Sequence, residues 1–333
     1  MSENSTRYQR QQQVAQLSGS AQQALAEAHV LIIGAGGLGS PSSLFLTGAG
    51  VGEITLVDHD IVSLTNLHRQ ILFQESDIQS SKAEAAKARL SALNSEIKIN
   101  ALNARLCVSN VEELVSKATI VIDAADSFFV SYLLSDTCAK QAKPLVTASV
   151  LTTHGYLGVF CGGTAPSLRA VFPSPSSEAA SCDTAGVTGP SVGIIASYQA
   201  QEALKVIVND QTQLSGKLMY LDLWDYSQNI IDFNGALEPK IKAEIIEFAS
   251  IDESDVLLDV RSESEFVEQP SSQHSKASKS MNIALDKLSE QQTVLSNEQR
   301  IVCVCKSGQR ALNAAHWLLS KGFSKVAVSL QPF

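Results

Sequence analysis

The chain has 333 residues, 44% hydrophobic and 18% charged, enough to bury a sizeable core and long enough for about two domains. Its net charge of −9 argues against nucleic acid as a principal partner, because such binding rests on basic patches that neutralise phosphate. No apolar run approaches the roughly 20 residues of a bilayer helix, and the start MSENSTRYQRQQQ has no apolar signal core, so a cytoplasmic protein with no membrane partner is expected.

The first strong signal along the chain is the apolar run Val30-Leu31-Ile32-Ile33, followed by Gly34-Ala35-Gly36-Gly37-Leu38-Gly39-Ser40 and a helix-like stretch over 38–48. A strand that feeds a glycine turn opening a helix aims N–H groups and the positive helix end at one point, so a nucleotide phosphate is expected there. The next strand-like run, 54–57, delivers Asp58 roughly 20 residues after the glycines, where a Rossmann unit places its ribose-binding carboxylate. Up to this point an NAD-dependent oxidoreductase fits as well. The continuation DHDIVSLTNLHRQ over 58–70 then places acids, an amide and a guanidinium just past the strand end. That set suits a triphosphate, since carboxylates can hold magnesium and cations offset phosphate charge.

Further strand-like runs at 97–102, 120–122 and 145–148 alternate with helix-like segments at 81–93, 110–117 and 128–141, predicting a doubly wound α/β domain with its site at the strand carboxyl ends. Asp123 and Asp126 follow the fourth strand. Asp123 reads equally well as a helix N-cap and as a site residue. On its chemistry alone, Lys82 at the start of its helix reads as a solvated charge, as does Lys87.

The six cysteines, 107, 138, 161, 182, 303 and 305, form no CxxC pair. Cys182 stands in a serine-, glycine- and alanine-rich loop over 174–188, a polar setting unlike that of the usual buried cysteine. A helical run follows over 190–208, then strands over 217–224 and 229–233. The turn-rich stretch 234–239 marks a boundary, dividing the chain into 1–235 and 236–333. Beyond it, 256–261 reads as a buried strand ending in charge, and 301–305 as another that runs through Lys306-Ser307-Gly308-Gln309-Arg310 into a helix over 311–320. A cysteine at a strand end whose loop opens a helix faces N–H groups and the positive helix end, a setting suited to nucleophilic sulfur. Cys303 reads as a core residue, and the polar tract 268–280 as an exposed loop with His274 solvated.

Arg7-Tyr8-Gln9-Arg10-Gln11, GAGGLGS, DHDIVSLTNLHRQ, Lys82 within SSKAEAAKARL, DAADS at 123–127 and SCDTAGVTGP at 181–190 occur in this order, and together they resemble the ThiF/MoeB adenylyltransferases over residues 7–233. The resemblance implies ATP-dependent adenylation of the terminal glycine of a ubiquitin-like sulfur carrier, ThiS or MoaD, by a homodimer. It implies that Gly34, Gly36, Gly37, Gly39, Asp58, Asp60, Asn66, Arg69, Gln70, Lys82, Asp126 and Ser127 bind ATP. Asp126 would also hold magnesium, and Arg10 would reach the phosphates of the neighbouring subunit. Cys182 would capture the activated carrier. Most of this family holds zinc with two CxxC pairs. Here the first pair's place reads Ser167-Leu168-Arg169-Ala170-Val171-Phe172-Pro173, and the second is missing after Trp224-Asp225, so no zinc is expected. Ser127 and Ser131 also depart from the family's usual asparagine and arginine.

The segment LLDVRSESEF, the loop CKSGQR, the helix after it and Gly322-Phe323 resemble a rhodanese domain, a smaller α/β unit. Four residues separate Cys305 from Arg310, as in sulfurtransferases. The resemblance implies a persulfide on Cys305, loaded by a persulfide donor, with Arg310 shaping the loop. The expected whole is an adenylyltransferase fused to a sulfurtransferase. RQILF at 69–73, PLVTAS at 144–149 and the TAG at 184–186 look closer to ThiF than to MoeB, which favours ThiS and thiamine thiazole synthesis over MoaD and molybdopterin. The competing readings are an NAD-dependent oxidoreductase and a non-catalytic carrier-binding module.

Overall fold

Runs of valine, isoleucine and leucine set the strands, and glycines and short polar turns end them. The computed structural model describes residues 7–174 and 186–331, which form two sheets. The larger sheet holds β1 (His29–Ile33), β2 (Glu53–Val57), β3 (Lys98–Leu102), β4 (Ile120–Asp123), β5 (Pro144–Leu151), β6 (His154–Cys161), β7 (Lys217–Asp222) and β8 (Ser227–Asp232). Its spatial order is β3-β2-β1-β4-β5-β6-β7-β8. Pairing is parallel from β3 to β5 and antiparallel from β5 to β8. The order therefore reverses between β1 and β4, the place where doubly wound sheets open a ligand crevice.

Among the described residues, the helices of ten or more residues are α1 (Gly39–Ala49), α2 (Lys82–Leu93), α3 (Val108–Lys117), α4 (Phe128–Lys140), α5 (Gly189–Ile207) and α6 (Gln309–Ser320). Alternate residues of β1 divide between the two sheet faces, as the two-residue period of a strand requires. Val30 and Ile32 join a buried cluster that includes Leu46 of α1 with Ala196 and Ala200 of α5. Leu31 and Ile33 join a second cluster that includes Phe129, Tyr132 and Leu134 of α4.

The smaller sheet holds β9 (Glu244–Ile245), β10 (Val256–Asp259), β11 (Lys279–Asn282), β12 (Ile301–Cys305) and β13 (Val326–Leu330), all parallel, in the order β11-β10-β12-β13-β9. The apolar cluster around α4 continues without a break into Ala311, Leu312 and Ala315 of α6 and Cys303 of β12, so the two sheets share one buried core.

The structure differs from the sequence reading in several places. β6 was not expected: its Gly155 and Gly158 dilute the strand pattern, yet each fits a close contact, since a Cβ at 155 would lie 2.7 Å from Ile195 and one at 158 would lie 2.9 Å from the Lys217 carbonyl. The last strands of the first sheet end at Asp222 and Asp232, short of Trp224 and Phe233. The tract 268–280 is not all loop, because β11 begins at Lys279 and takes its place beside β10. Asp123 ends β4 and caps no helix; Ser127 holds the N-cap position of α4.

Candidate functional site

The glycine turn fits its place through close backbone approach. Gly34 has φ +96°, and a Cβ there would lie 2.6 Å from the carbonyl oxygen of Ala124, which follows β4. A Cβ on Gly39 would fall on the carbonyl of Gly34, so nothing larger than hydrogen fits there. These two glycines fold the turn tightly between β1 and β4 and aim the start of α1 across the crevice. The α1 N-cap, Leu38, offers no side-chain acceptor; Ser40 turns its N–H back onto the Gly36 carbonyl at 3.0 Å and Pro41 carries none, so the anion's donors would come from the glycine turn and the Gly39 N–H together with the positive helix end.

Around this cradle the chain arranges its charges. Asp58, buried at the end of β2, accepts the Ala35 N–H at 2.7 Å and the Asp60 N–H at 2.8 Å. Lys82 is not the solvated charge its position suggested. It is buried, its N–H donates to the Asp60 carbonyl at 2.9 Å, and its ammonium lies 3.0 Å from the Asp60 carboxylate. Asn66 closes a one-turn 3-10 helix, and its carbonyl accepts the N–H groups of Arg69 and Gln70. That turn lays the Arg69 stem along Gly37, while its guanidinium donates to the Thr65 carbonyl at 3.1 Å and meets His68 at 2.8 Å. Gln70 is buried beside Gly36, and among the described residues its carboxamide oxygen has no hydrogen-bond partner. A buried acceptor left unpaired next to an anion cradle is what a nucleotide with donor groups would satisfy. Glycine cradle, guanidinium, ammonium and carboxylates together fit ATP with magnesium.

After β4, the Asp123 carboxyl is buried and pushed up to about 6, chiefly by loss of water, with the nearby Asp126 charge adding to the shift and the Ser131 and Thr147 hydroxyls opposing it. Asp126 is exposed at the crevice, one residue before the N-cap Ser127. Among the described residues one group could gather metal-ligating atoms within 4.8 Å of one another, Asp58, His59 and Asp60, and Lys82 already pairs with Asp60. Asp126 is not in that group.

Arg10 lies apart. Tyr8 packs on Gly50, its hydroxyl accepts from Asn94 at 2.9 Å, and Gln11 donates to the Ala49 carbonyl at 3.0 Å. These contacts fix its segment at the carboxyl end of α1, and an eleven-residue helix puts that end roughly 16 Å from the cradle. Arg10 is exposed there and does not enter this chain's own crevice. Cys182 lies outside the described residues. Where the family's first CxxC pair would stand, the Ser167 N–H and hydroxyl both donate to the Glu238 carboxylate, at 2.7 and 2.6 Å. Sequence reading also missed Arg169, which is buried over the Tyr132 ring and paired with Asp136, itself 2.7 Å from Lys242.

The second site follows the same plan. Cys305, fully buried at the end of β12, accepts the Ala311 N–H on its Sγ at 3.3 Å. Gly308, at φ +82°, is the N-cap of α6. Arg310 forms a two-pronged ion pair with Glu265, at 2.6 and 2.8 Å, and this holds the Glu265 carboxyl down at about 2. Glu265 is in turn fixed by a capping box with Ser262. Arg310 thus ties the loop to its neighbouring helix. Cys303 is a core residue, as expected, with its thiol pushed up by burial.

The two sites meet. The Ser127 hydroxyl donates to the Ser307 carbonyl at 3.5 Å, and the Phe129 ring packs on Gly308, where a Cβ would lie 2.5 Å from it. The first turn of α4, directly after Asp126, therefore rests on the Cys305 loop. No sequence pattern announced this contact.

The ThiF family model matches residues 8–238, and the rhodanese-like domain model matches residues 244–330. "Adenylyltransferase and sulfurtransferase MOCS3" of Culex quinquefasciatus is 40% identical over 218 residues, which is 65% of this chain and 50% of that protein. The protein of the same name from Arabidopsis thaliana is 36% identical over 231 residues, 69% of this chain and 50% of the relative. The chain spans about half the length of these curated relatives. Among solved structures, E. coli MccB with ATP has the same fold at a TM-score of 0.61 and 24% identity, covering 69% of this chain and 72% of that one. PaaA matches at a TM-score of 0.60, with 70% and 74% covered. The described helices include none long and apolar enough to cross a membrane. By the match over residues 8–238, the chain belongs to the ThiF family and carries a rhodanese-like domain behind it.

Proposed function

We propose that the chain uses ATP to adenylate the terminal carboxylate of a ubiquitin-like sulfur carrier and then supplies sulfur to it from a persulfide on Cys305. The observation that carries this reading is the contact between the two sites, in which the first turn of α4, directly after Asp126, lies against the loop after Cys305. An acyl adenylate made in the crevice would have its sulfur source next to it.

In the first step a carrier carboxylate oxygen attacks the α-phosphorus and the bond to the pyrophosphate oxygen breaks. Gly34, Gly36, Gly37 and Gly39 with the start of α1 would hold the phosphates, and Asp58 the ribose. Asp60, Asn66 and Gln70 would line the nucleotide, with Asp60 keeping Lys82 in place. Arg69 and Lys82 would offset the charge that grows on the phosphates. Magnesium, when bound through Asp126, would neutralise the departing pyrophosphate. Arg10, placed away from its own cradle, would serve a partner copy's site in a dimer.

In the second step the terminal sulfur of the Cys305 persulfide attacks the acyl carbon and AMP leaves, forming an acyl disulfide. A second thiol then attacks Cys305 Sγ, releasing the thiocarboxylate and leaving a disulfide for an external thiol to reduce. Cys182 is the candidate for that thiol. The relatives named adenylyltransferase and sulfurtransferase pair the same two activities.

ATP–pyrophosphate exchange measured with ThiS and with MoaD, side by side, tests the first step and identifies the carrier. Exchange that depends on either carrier supports the reading; absence of exchange with both, alongside tight NAD binding, would replace it with the oxidoreductase.

A further inference from the structure

Cys305 presents an access problem that the sulfur chemistry alone does not explain. The residue is fully buried, and so is Phe129, which belongs to the other sheet's domain and lies against the Cys305 loop. The loop's own strand and the Ala311 N–H close one side of the thiol. Across the loop stand Ser127 and Phe129, reaching Ser307 and Gly308 from outside the domain. The polar part of this contact is slight: one hydroxyl-to-carbonyl bond at 3.5 Å, the long limit for such a bond. The ring's contact with Gly308 is therefore the larger part of what joins this turn to the loop, and because Phe129 also sits in the core cluster that α4 shares with α6, lifting it takes a local opening of the first turn of α4. Gly308 is the residue that lets the ring so close, since any Cβ there would strike it.

We propose that Ser127 to Phe129 form a lip over the Cys305 loop, and that the thiol is reached by reagents and donors only when this lip lifts. A sulfur donor that is itself a protein could not load Cys305 with the lip down. Because the lip follows Asp126 directly, the same short segment serves the nucleotide crevice on one side and the sulfur loop on the other. The biological sense of the lip rests on Cys305 being the sulfur-carrying thiol. Access to the thiol is a separate matter, and it can be read without any turnover.

The test is iodoacetamide labelling of the full chain, followed by peptide mapping so that Cys303 and Cys305 are counted separately. Phe129→Ala removes the cover from one side of the contact, and Gly308→Ala pushes it away from the other. Each is expected to speed Cys305 labelling by about tenfold or more over wild type, while Phe129→Leu, which keeps an apolar cover, stays within about threefold. Cys303, sealed in the core, is expected to stay unlabelled in all four proteins. Wild-type labelling rates in both alanine variants, or Cys303 and Cys305 labelling that rises in step, would overturn the lip. Loss of exchange or of sulfur transfer in separate assays would instead count against the proposed function and leave the labelling result standing.

Discussion

The glycine cradle and the Cys305 loop are built alike and finished differently. Each sits where a parallel strand ends and its loop opens a helix, so each gathers N–H groups at one point. In the cradle the side chains are removed: Gly34 and Gly39 let the turn fold onto β4, and a helix start without a side-chain cap faces the crevice between β1 and β4. In the second loop a side chain is added, Cys305, and the turn is tied down by Arg310 on Glu265 and covered by Phe129. The difference suits the two cargoes. An anion that comes and goes needs space and donors; a covalently held sulfur needs a fixed nucleophile and protection from stray reagents.

If the two loops divide the chemistry in this way, single substitutions should separate them. The largest effect is expected from Cys305→Ala, which should abolish sulfur transfer from thiosulfate or a persulfide donor and leave carrier-dependent pyrophosphate exchange at the wild-type rate. Arg69→Ala and Asp126→Ala should do the reverse, lowering exchange by about a hundredfold or more with thiosulfate transfer to cyanide unchanged. Cys182→Ala should keep exchange intact and slow thiocarboxylate formation, and a fall in exchange would remove Cys182 from the proposed second step.

The next effect is on stability and concerns the cradle side alone. The Asp123 carboxyl is held near 6, above its usual 3.8, by burial. The folded state therefore binds the extra proton, so this group's contribution is fully present below 3.8 and is lost as pH rises through about 6. Over that window wild type should lose up to about 3 kcal/mol, and Asp123→Asn should flatten the dependence, as read by urea unfolding at a series of pH values. The smallest effect belongs to the second loop. Glu265 is held down at about 2 from its usual 4.5, so the Arg310 pair contributes above 4.5 and fades as pH falls toward 2. Both side chains are more than a third exposed, which limits the loss in Glu265→Gln to about 1 kcal/mol or less.

Much of the architecture was legible because it is written locally. The strands of the parallel half and the helices between them follow hydrophobic periodicity and fall within a few residues of where that periodicity places them, and GAGGLGS and CKSGQR mark strand-to-helix turns in which the backbone requires Gly34, Gly39 and Gly308. What escaped was written at a distance. β6 was hidden because its two glycines are there to admit Ile195 and the Lys217 carbonyl, partners some forty to sixty residues on. Lys82 is buried where its ammonium meets Asp60, a partner more than twenty residues earlier in the chain. Arg169, in the stretch that replaces a cysteine pair, gains its place only once Asp136 and Tyr132 of α4 are beside it. The approach of Phe129 to Gly308 joins residues of two domains, and no spacing in the chain encodes it. Local patterns gave the two loops, and tertiary packing brought them together.

The claim that one chain both activates a carrier and supplies its sulfur is tested most directly by the intact mass of the carrier after incubation with ATP, magnesium and a persulfide donor, with wild type and with Cys305→Ala. The account predicts thiocarboxylated carrier with wild type, and with the variant only unmodified or adenylated carrier. Thiocarboxylate formed equally well by Cys305→Ala, or formed by wild type without ATP, would contradict it.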